Sequence, residues 1–130
     1  MTSPPDKNFF PRIFKAFGFS MNGMKAAFRT EAAFRQEVVL ALFMIPCALW
    51  LGTTTVERAL LIASVLLVLM MEILNSAIER IVDRVSLERH ELSKEAKDMG
   101  SAAVLLSLVL AGVIWVMIGI DRFFMPPELY

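Results

Sequence analysis

Three stretches of this chain are apolar for longer than a solvent-facing helix allows. Residues 38–51 (VVLALFMIPCALWL) run fourteen positions without a charge, residues 59–71 thirteen and residues 102–120 nineteen. Only the last reaches by itself the ~20 residues that cross a hydrocarbon layer. The first two become long enough if each helix continues through its polar end, over 31–51 and 59–78. The combined lengths, with the seven-residue join GTTTVER between the first two, make a soluble bundle the weaker reading. The pattern predicts an all-α membrane protein with three spans. Pro46 falls inside the first, where a membrane helix tolerates proline with a kink.

Ahead of the spans, FFPRIFKAF (9–17) repeats Phe10, Ile13, Phe14 and Phe17 at helical spacing, with Arg12 and Lys15 on other sides. That is the pattern of a short basic helix lying in the membrane interface. Gly18 and the Asn22-Gly23 pair are expected to break it, and a second amphipathic stretch over 24–37 leads into span one. Between spans two and three, residues 83–99 are charged and helix-favouring, with Ser93 the candidate N-cap. Gly100, Ser101, Ala102 and Ala103 open span three with small side chains that permit close helix contact, as could Gly112 and Gly119 farther along. The expected division is a flexible terminus (1–8), an interfacial helix region (9–30), a three-span domain (31–122) and a C-terminal tail (123–130).

Composition agrees. The hydrophobic fraction is 57% and mean hydropathy +0.62, against roughly 45–50% apolar residues in soluble chains. Lys+Arg and Asp+Glu balance at 13 each, so net charge gives no reason to expect nucleic acid. The single Cys47 lies in an apolar run and offers neither a disulfide framework nor zinc spacing. No signal peptide is expected, because the first long apolar run starts only at Val38, behind a charged stretch. Basic residues set orientation. Six precede Val38 and five lie between spans two and three, against Arg58 and Arg122 on the opposite side. This places the N-terminus and the 80–99 loop in the cytoplasm, and the 52–58 turn and C-terminus outside.

The chemistry gathers in MEILNSAIERIVDR (71–84). At about 100° per residue, Glu72, Asn75, Glu79 and Asp83 fall within an arc of about 80° and form one stripe. Counted from Arg58, Glu72 lies about 21 Å into a layer of about 30 Å, and Glu79 near its far boundary. A submerged ionisable group is costly and usually marks a functional site. The plainer alternative is groups that only satisfy one another or glue helices; a solvated helix end covers Asp83, Arg84 and partly Glu79, but does not explain Glu72. Glu31, Arg35 and Glu37 form a similar foot on span one, where an ordinary Glu31–Arg35 ion pair is the plain alternative. Lys97-Asp98-Met99-Gly100-Ser101 does so on span three.

The other halves of the spans are apolar save for Ser64 and Ser107, so no polar path crosses the bilayer as a channel or carrier needs. A site at the membrane surface, acting on a substrate half in lipid, fits better. Histidine clusters, nucleophile motifs, CxxC and glycine-rich phosphate loops are all missing; His90 stands alone, either solvated or against a nucleotide. Carboxylates suit Mg²⁺, cations with Mg²⁺ suit a polyphosphate, and Glu72 could take a proton from a hydroxyl. The residues alone allow metal-assisted phosphoryl transfer to a lipid alcohol.

EAAFRQE (31–37), EILNSAIERIVDR (72–84) and HELSKEAKDMGSAAVL (90–105) closely resemble the bacterial integral-membrane diacylglycerol kinases, with likeness over residues 12–115. The resemblance implies a homotrimer of three-span subunits, each with an amphipathic surface helix and with active sites shared between neighbours, in the bacterial cytoplasmic (inner) membrane. It implies ATP-dependent phosphorylation of the 3-hydroxyl of diacylglycerol to phosphatidic acid. Carried over by position, Glu72 would be the general base with Asn75 supporting, and Glu31 and Glu79 would hold Mg²⁺. Arg12, Glu31, Glu79, Glu88, Arg89, His90, Lys97 and Asp98 would contact the nucleotide. The lipid would lie along Arg12, Phe34, Arg35, Gln36, Glu37, Glu72, Ser101 and Trp115, with Trp50 and Arg58 near the far end of its chains. Phe19 stands where the family often has tyrosine, and Met21 and Phe28 replace common interfacial tryptophans. The competing readings are an undecaprenol kinase of the same superfamily and a non-catalytic membrane helix-bundle subunit, which would gain nothing from a submerged Glu72.

Overall fold

The computed structural model describes residues 7–85 and 87–126, which form helices α1 (Phe9–Thr30), α2 (Ala32–Leu51), α3 (Thr55–Val85) and α4 (Glu91–Phe124). Residues 1–6 of the expected flexible terminus and 127–130 of the expected tail lie outside the described residues. Helices α2, α3 and α4 are each long and apolar enough to cross a membrane. With 20 residues, α2 is about as long as a hydrocarbon layer is thick; with 31 and 34, α3 and α4 exceed it by several turns. The surplus is polar, and it carries the site.

Three boundaries differ from the sequence reading. First, α1 runs unbroken through Gly18 and Asn22-Gly23, with no positive φ at either glycine. Both glycines face open space, so nothing tertiary demands a turn there. The chain bends instead at Glu31 (φ −110°, ψ 108°), which splits the expected 24–37 stretch. Arg35 Nη1 makes that bend by donating to the carbonyls of Phe28 and Arg29, both at 2.9 Å, so two end carbonyls of α1 are satisfied by α2.

Second, the join between α2 and α3 is only residues 52–54. Thr54 Oγ1 accepts from Glu57 N at 3.1 Å, and Glu57 Oε2 accepts from Thr53 N at 2.7 Å and Thr54 N at 3.2 Å. This reciprocal capping starts α3 early. Arg58 Nε meanwhile donates to the carbonyls of Leu49 (3.1 Å) and Gly52 (3.0 Å), closing the end of α2. Gly52 fits because a Cβ there would stand 2.7 Å from Arg58 Cγ and 2.9 Å from Arg58 N.

Third, α4 is capped by His90, whose Nδ1 accepts from Leu92 N at 3.1 Å, while Ser93 lies inside the helix. The cap thus lies three residues before the expected one, and the imidazole serves the N–H of Leu92 in the first turn of α4.

The core is thin and lies toward the 52–54 end. Ala48, Leu51, Leu61 and Ile118 are buried together, with Ile62, Ile114 and Trp115 packed against them. Close approach elsewhere comes from small residues: Ala41, Ser64, Ser76, Gly100 and Ser107 are all buried. The hydroxyls of Ser64 and Ser107 donate to the carbonyls of Leu61 (2.7 Å) and Val104 (2.6 Å). Trp115 Nε1 donates to Ser64 Oγ at 3.0 Å, a polar tie between α3 and α4. Large side chains such as Leu42, Phe43, Leu106 and Met117 point outward. Such a surface would be untenable in water and is ordinary against lipid. On α1, Phe10, Phe14 and Phe17 are also exposed, and only Ala27 is buried.

Candidate active site

The stripe on α3 forms as the spacing predicts, and its members meet three different environments. Glu72, Asn75 and Glu79 are half-buried, and Asp83 is exposed. Deepest is Glu72, which lies against Glu37 of α2, close enough for a carboxyl–carboxyl hydrogen bond. Glu37 Oε2 is buried without a hydrogen-bond partner among the described residues. Just beyond Glu37 opens a small pocket of about 100 Å³, lined among others by Leu40 and Met44 of α2, Val65 and Leu69 of α3, and Leu108 of α4. Its other walls are apolar, so the carboxylates stand at the boundary between a polar foot and a greasy interior.

One turn nearer the 87–90 loop, Asn75 Nδ2 donates to Glu79 Oε1 at 3.4 Å. Asn75 Oδ1 is buried without a hydrogen-bond partner and faces Gly100 of α4. Glu31, at the bend before α2, comes within 3.7 Å of Arg80 Nη2, and the same guanidinium donates to Thr30 Oγ1. Glu31 therefore turns to α3 and Arg35 to α1, in place of the simple Glu31–Arg35 pair. Both expected metal ligands thus converge on the turn of α3 that holds residues 79 and 80. Among the described residues, no three His, Cys, Asp or Glu side chains cluster as a metal cage. A Mg²⁺ carried by a nucleotide needs only one or two carboxylates besides phosphate oxygens, which is the donor set Glu31 and Glu79 offer.

Beyond Glu79, α3 and the head of α4 enclose an open pocket of about 730 Å³, within the size range of small-molecule sites. Its lining includes Glu88, Arg89, His90, Lys97 and Asp98, five of the residues expected to meet a nucleotide. Asp83, Ser93 and Lys94 also line it, and the sequence reading had assigned none of them to a nucleotide. Lys97 Nζ bridges to Asp83 Oδ1 at 2.6 Å, and Lys94 Nζ to Asp98 Oδ2 at 2.8 Å. These lysines precede the apolar run of α4, and the hydrogen bond from Lys97 to Asp83 raises the Lys97 pKa. Arg12 sits apart from this lining, in the exposed first turn of α1.

The residues expected along a lipid are spread from one end of the bundle to the other. Phe34 is buried, Arg35 caps α1, and Gln36 and Ser101 are exposed near the carboxylates. Trp115 is half-buried, with its indole N–H bound to Ser64. At the far end Arg58 is engaged with α2 carbonyls, and the exposed Trp50 ring lies 5.9 Å from both the Phe123 ring and the Arg122 guanidinium. Sequence reasoning missed two contacts here. Arg80 had counted only as a flanking charge, although its place beside Glu79 was a signal. The meeting of Glu37 with Glu72 had no local signal at all.

A family model described as prokaryotic diacylglycerol kinase matches residues 18–119. A diacylglycerol kinase of Escherichia coli (strain K12) is 55% identical over 106 residues, covering 82% of this chain and 87% of that protein. One from Pseudomonas aeruginosa is 59% identical over 104 residues, with 80% and 85% covered. One from Helicobacter pylori (strain 26695) is 46% identical over 112 residues, with 86% and 88% covered.

Proposed function

The chain belongs to the prokaryotic diacylglycerol kinase family, and we propose that its polar end transfers the γ-phosphate of ATP to the 3-hydroxyl of diacylglycerol, giving phosphatidic acid. The observation that carries this reading is the order of environments along α3: an apolar pocket, then the half-buried Glu72, then Asn75 and Glu79, then an open charged pocket. A lipid alcohol and a water-soluble triphosphate can meet only where such environments adjoin.

In this reading Glu72 accepts the proton of the lipid hydroxyl as its oxygen attacks the γ-phosphorus. The bond from that phosphorus to the β–γ bridging oxygen breaks, and ADP leaves. Glu31 and Glu79 would hold Mg²⁺, which supplies charge neutralisation to the phosphates, and Asn75 holds Glu79 in place. Glu88, Arg89, His90, Lys97 and Asp98 bind the nucleotide, joined by Arg12. The lipid lies along Phe34, Arg35, Gln36, Glu37 and Ser101, and its chains run past Trp115 toward Trp50 and Arg58. Helix α1 rests on the cytoplasmic face of the inner membrane with its exposed phenylalanines in the interface. The chain works as a homotrimer with sites shared between neighbours, its N-terminus in the cytoplasm and its C-terminus outside.

Detergent-purified protein, given labelled ATP with diacylglycerol or undecaprenol in parallel, tests this. Label in phosphatidic acid, lost in Glu72→Gln while ATP binding persists, is the expected result. Label in undecaprenol alone would make the chain a polyprenol kinase, and no label in either lipid would leave a structural subunit.

A further inference from the structure

We infer that Gly100 is a positioning residue: the missing side chain at Gly100 sets the rotation of the Asn75 amide and, through it, the Glu79 carboxylate. The inference deepens the kinase reading and rests on it for the role of Glu79 toward the metal. Gly100 is buried where α4 crosses α3. A Cβ built there would stand 2.4 Å from Asn75 Oδ1 and 3.4 Å from Asn75 Cγ, with Ile78 Cδ1 at 3.7 Å. The first distance is impossible for real atoms, so one of the two groups must move.

The amide has two unlike ends, and only one rotation serves both neighbours. As placed, its donor end reaches Glu79 Oε1 at 3.4 Å and its oxygen fills the space above Gly100. Turning the amide over would set oxygen against a carboxylate oxygen and lose the hydrogen bond. The oxygen gains no hydrogen bond in its present position. The hydrogen bond to Glu79 fixes which end of the amide faces α4, and the space above Gly100 is what admits the oxygen there. A methyl group would push the amide aside or force α3 and α4 apart. Either movement withdraws Nδ2 from Glu79. By local preference alanine is the better helix former, so a harmful Gly100→Ala would have to act through this collision.

The test uses the full chain in detergent micelles, labelled with ¹⁵N-asparagine. The chain has Asn8, Asn22 and Asn75, so Asn75→Ala identifies the Asn75 side-chain amide signal. Gly100→Ala is expected to shift that signal, and Glu79→Gln to shift it in the parent protein but not in Gly100→Ala. An unshifted signal in Gly100→Ala overturns the inference, whatever the reaction. In parallel, Mn²⁺ binding is followed by electron paramagnetic resonance with a non-hydrolysable ATP analogue. Gly100→Ala is expected to weaken it about 10- to 100-fold and to add no further loss on an Asn75→Ala background. Equal Mn²⁺ affinity in Gly100→Ala and the parent overturns the link to Glu79. No ATP-dependent Mn²⁺ binding by the parent overturns the kinase reading instead, leaving the amide signal to decide the positioning. If Gly100→Ala fails to fold, Gly100→Ala/Asn75→Ala, free of the collision, should fold; failure of both assigns Gly100 to helix packing and overturns the inference.

Discussion

Replacing Ser64 by alanine deletes one hydroxyl from the bundle interior and strands the indole N–H of Trp115. Ser64 is 2% exposed; its proton is committed to Leu61 O at 2.7 Å, so its lone pair receives Trp115 Nε1 at 3.0 Å. Leu61 O keeps its helical partner after the change, but the indole N–H has no other acceptor among the described residues. A buried donor left unpaired costs about 1–3 kcal/mol, whereas hydrogen bonds between membrane helices average about 0.6 and reach about 1.7 kcal/mol. With Trp115 half-buried, about 1.5 kcal/mol is expected for Ser64→Ala. On a Trp115→Phe background no donor remains to be stranded, and the same change should cost under about 0.5 kcal/mol. The difference of about 1 kcal/mol is about fivefold in the unfolding equilibrium. Reversible SDS unfolding in mixed micelles, followed by far-ultraviolet circular dichroism, measures all four corners of the cycle. Equal costs of Ser64→Ala with Trp or Phe at position 115 would refute the reasoning and leave Trp115 free to serve lipid alone.

The remaining expectations concern the site and the two helix joins. Glu72→Gln should lower kcat by about 10²–10⁴-fold with ATP binding retained, read by lipid labelling beside nucleotide titration. Lys97→Gln removes a cation from the open pocket and its bridge to Asp83; the KM for ATP should rise and that for lipid stay. Gly52→Ala drives a methyl into Arg58 and should cost about 1–3 kcal/mol on the same SDS scale. Arg35→Gln releases the carbonyls of Phe28 and Arg29, and faster hydrogen exchange confined to the end of α1 and the start of α2 is the expected signature.

Position along the chain was enough wherever a rule is periodic. The stripe of Glu72, Asn75, Glu79 and Asp83 follows from the pitch of a helix, and the three spans from apolar length. The rules failed where a side chain reached across elements. Gly18 and Gly23 looked like breaks, yet nothing packs on them, and a glycine costs a helix only about 1 kcal/mol. The break at Glu31 carries no turn residue; it exists because Arg35 supplies the hydrogen bonds that α1 loses there. Ser93 had the composition of a cap, but His90 stood in the extended conformation a cap requires.

What the sequence by itself determined is the membrane character, the number of crossings and the chemical inventory at one end. These depend on composition and on spacing within single helices. Only the tertiary structure decided which groups from different helices share a space: Glu37 with Glu72, Glu31 with Arg80, and Asn75 with Gly100. Those meetings depend on how closely α2, α3 and α4 approach, and that approach is set by small residues scattered far apart along the chain.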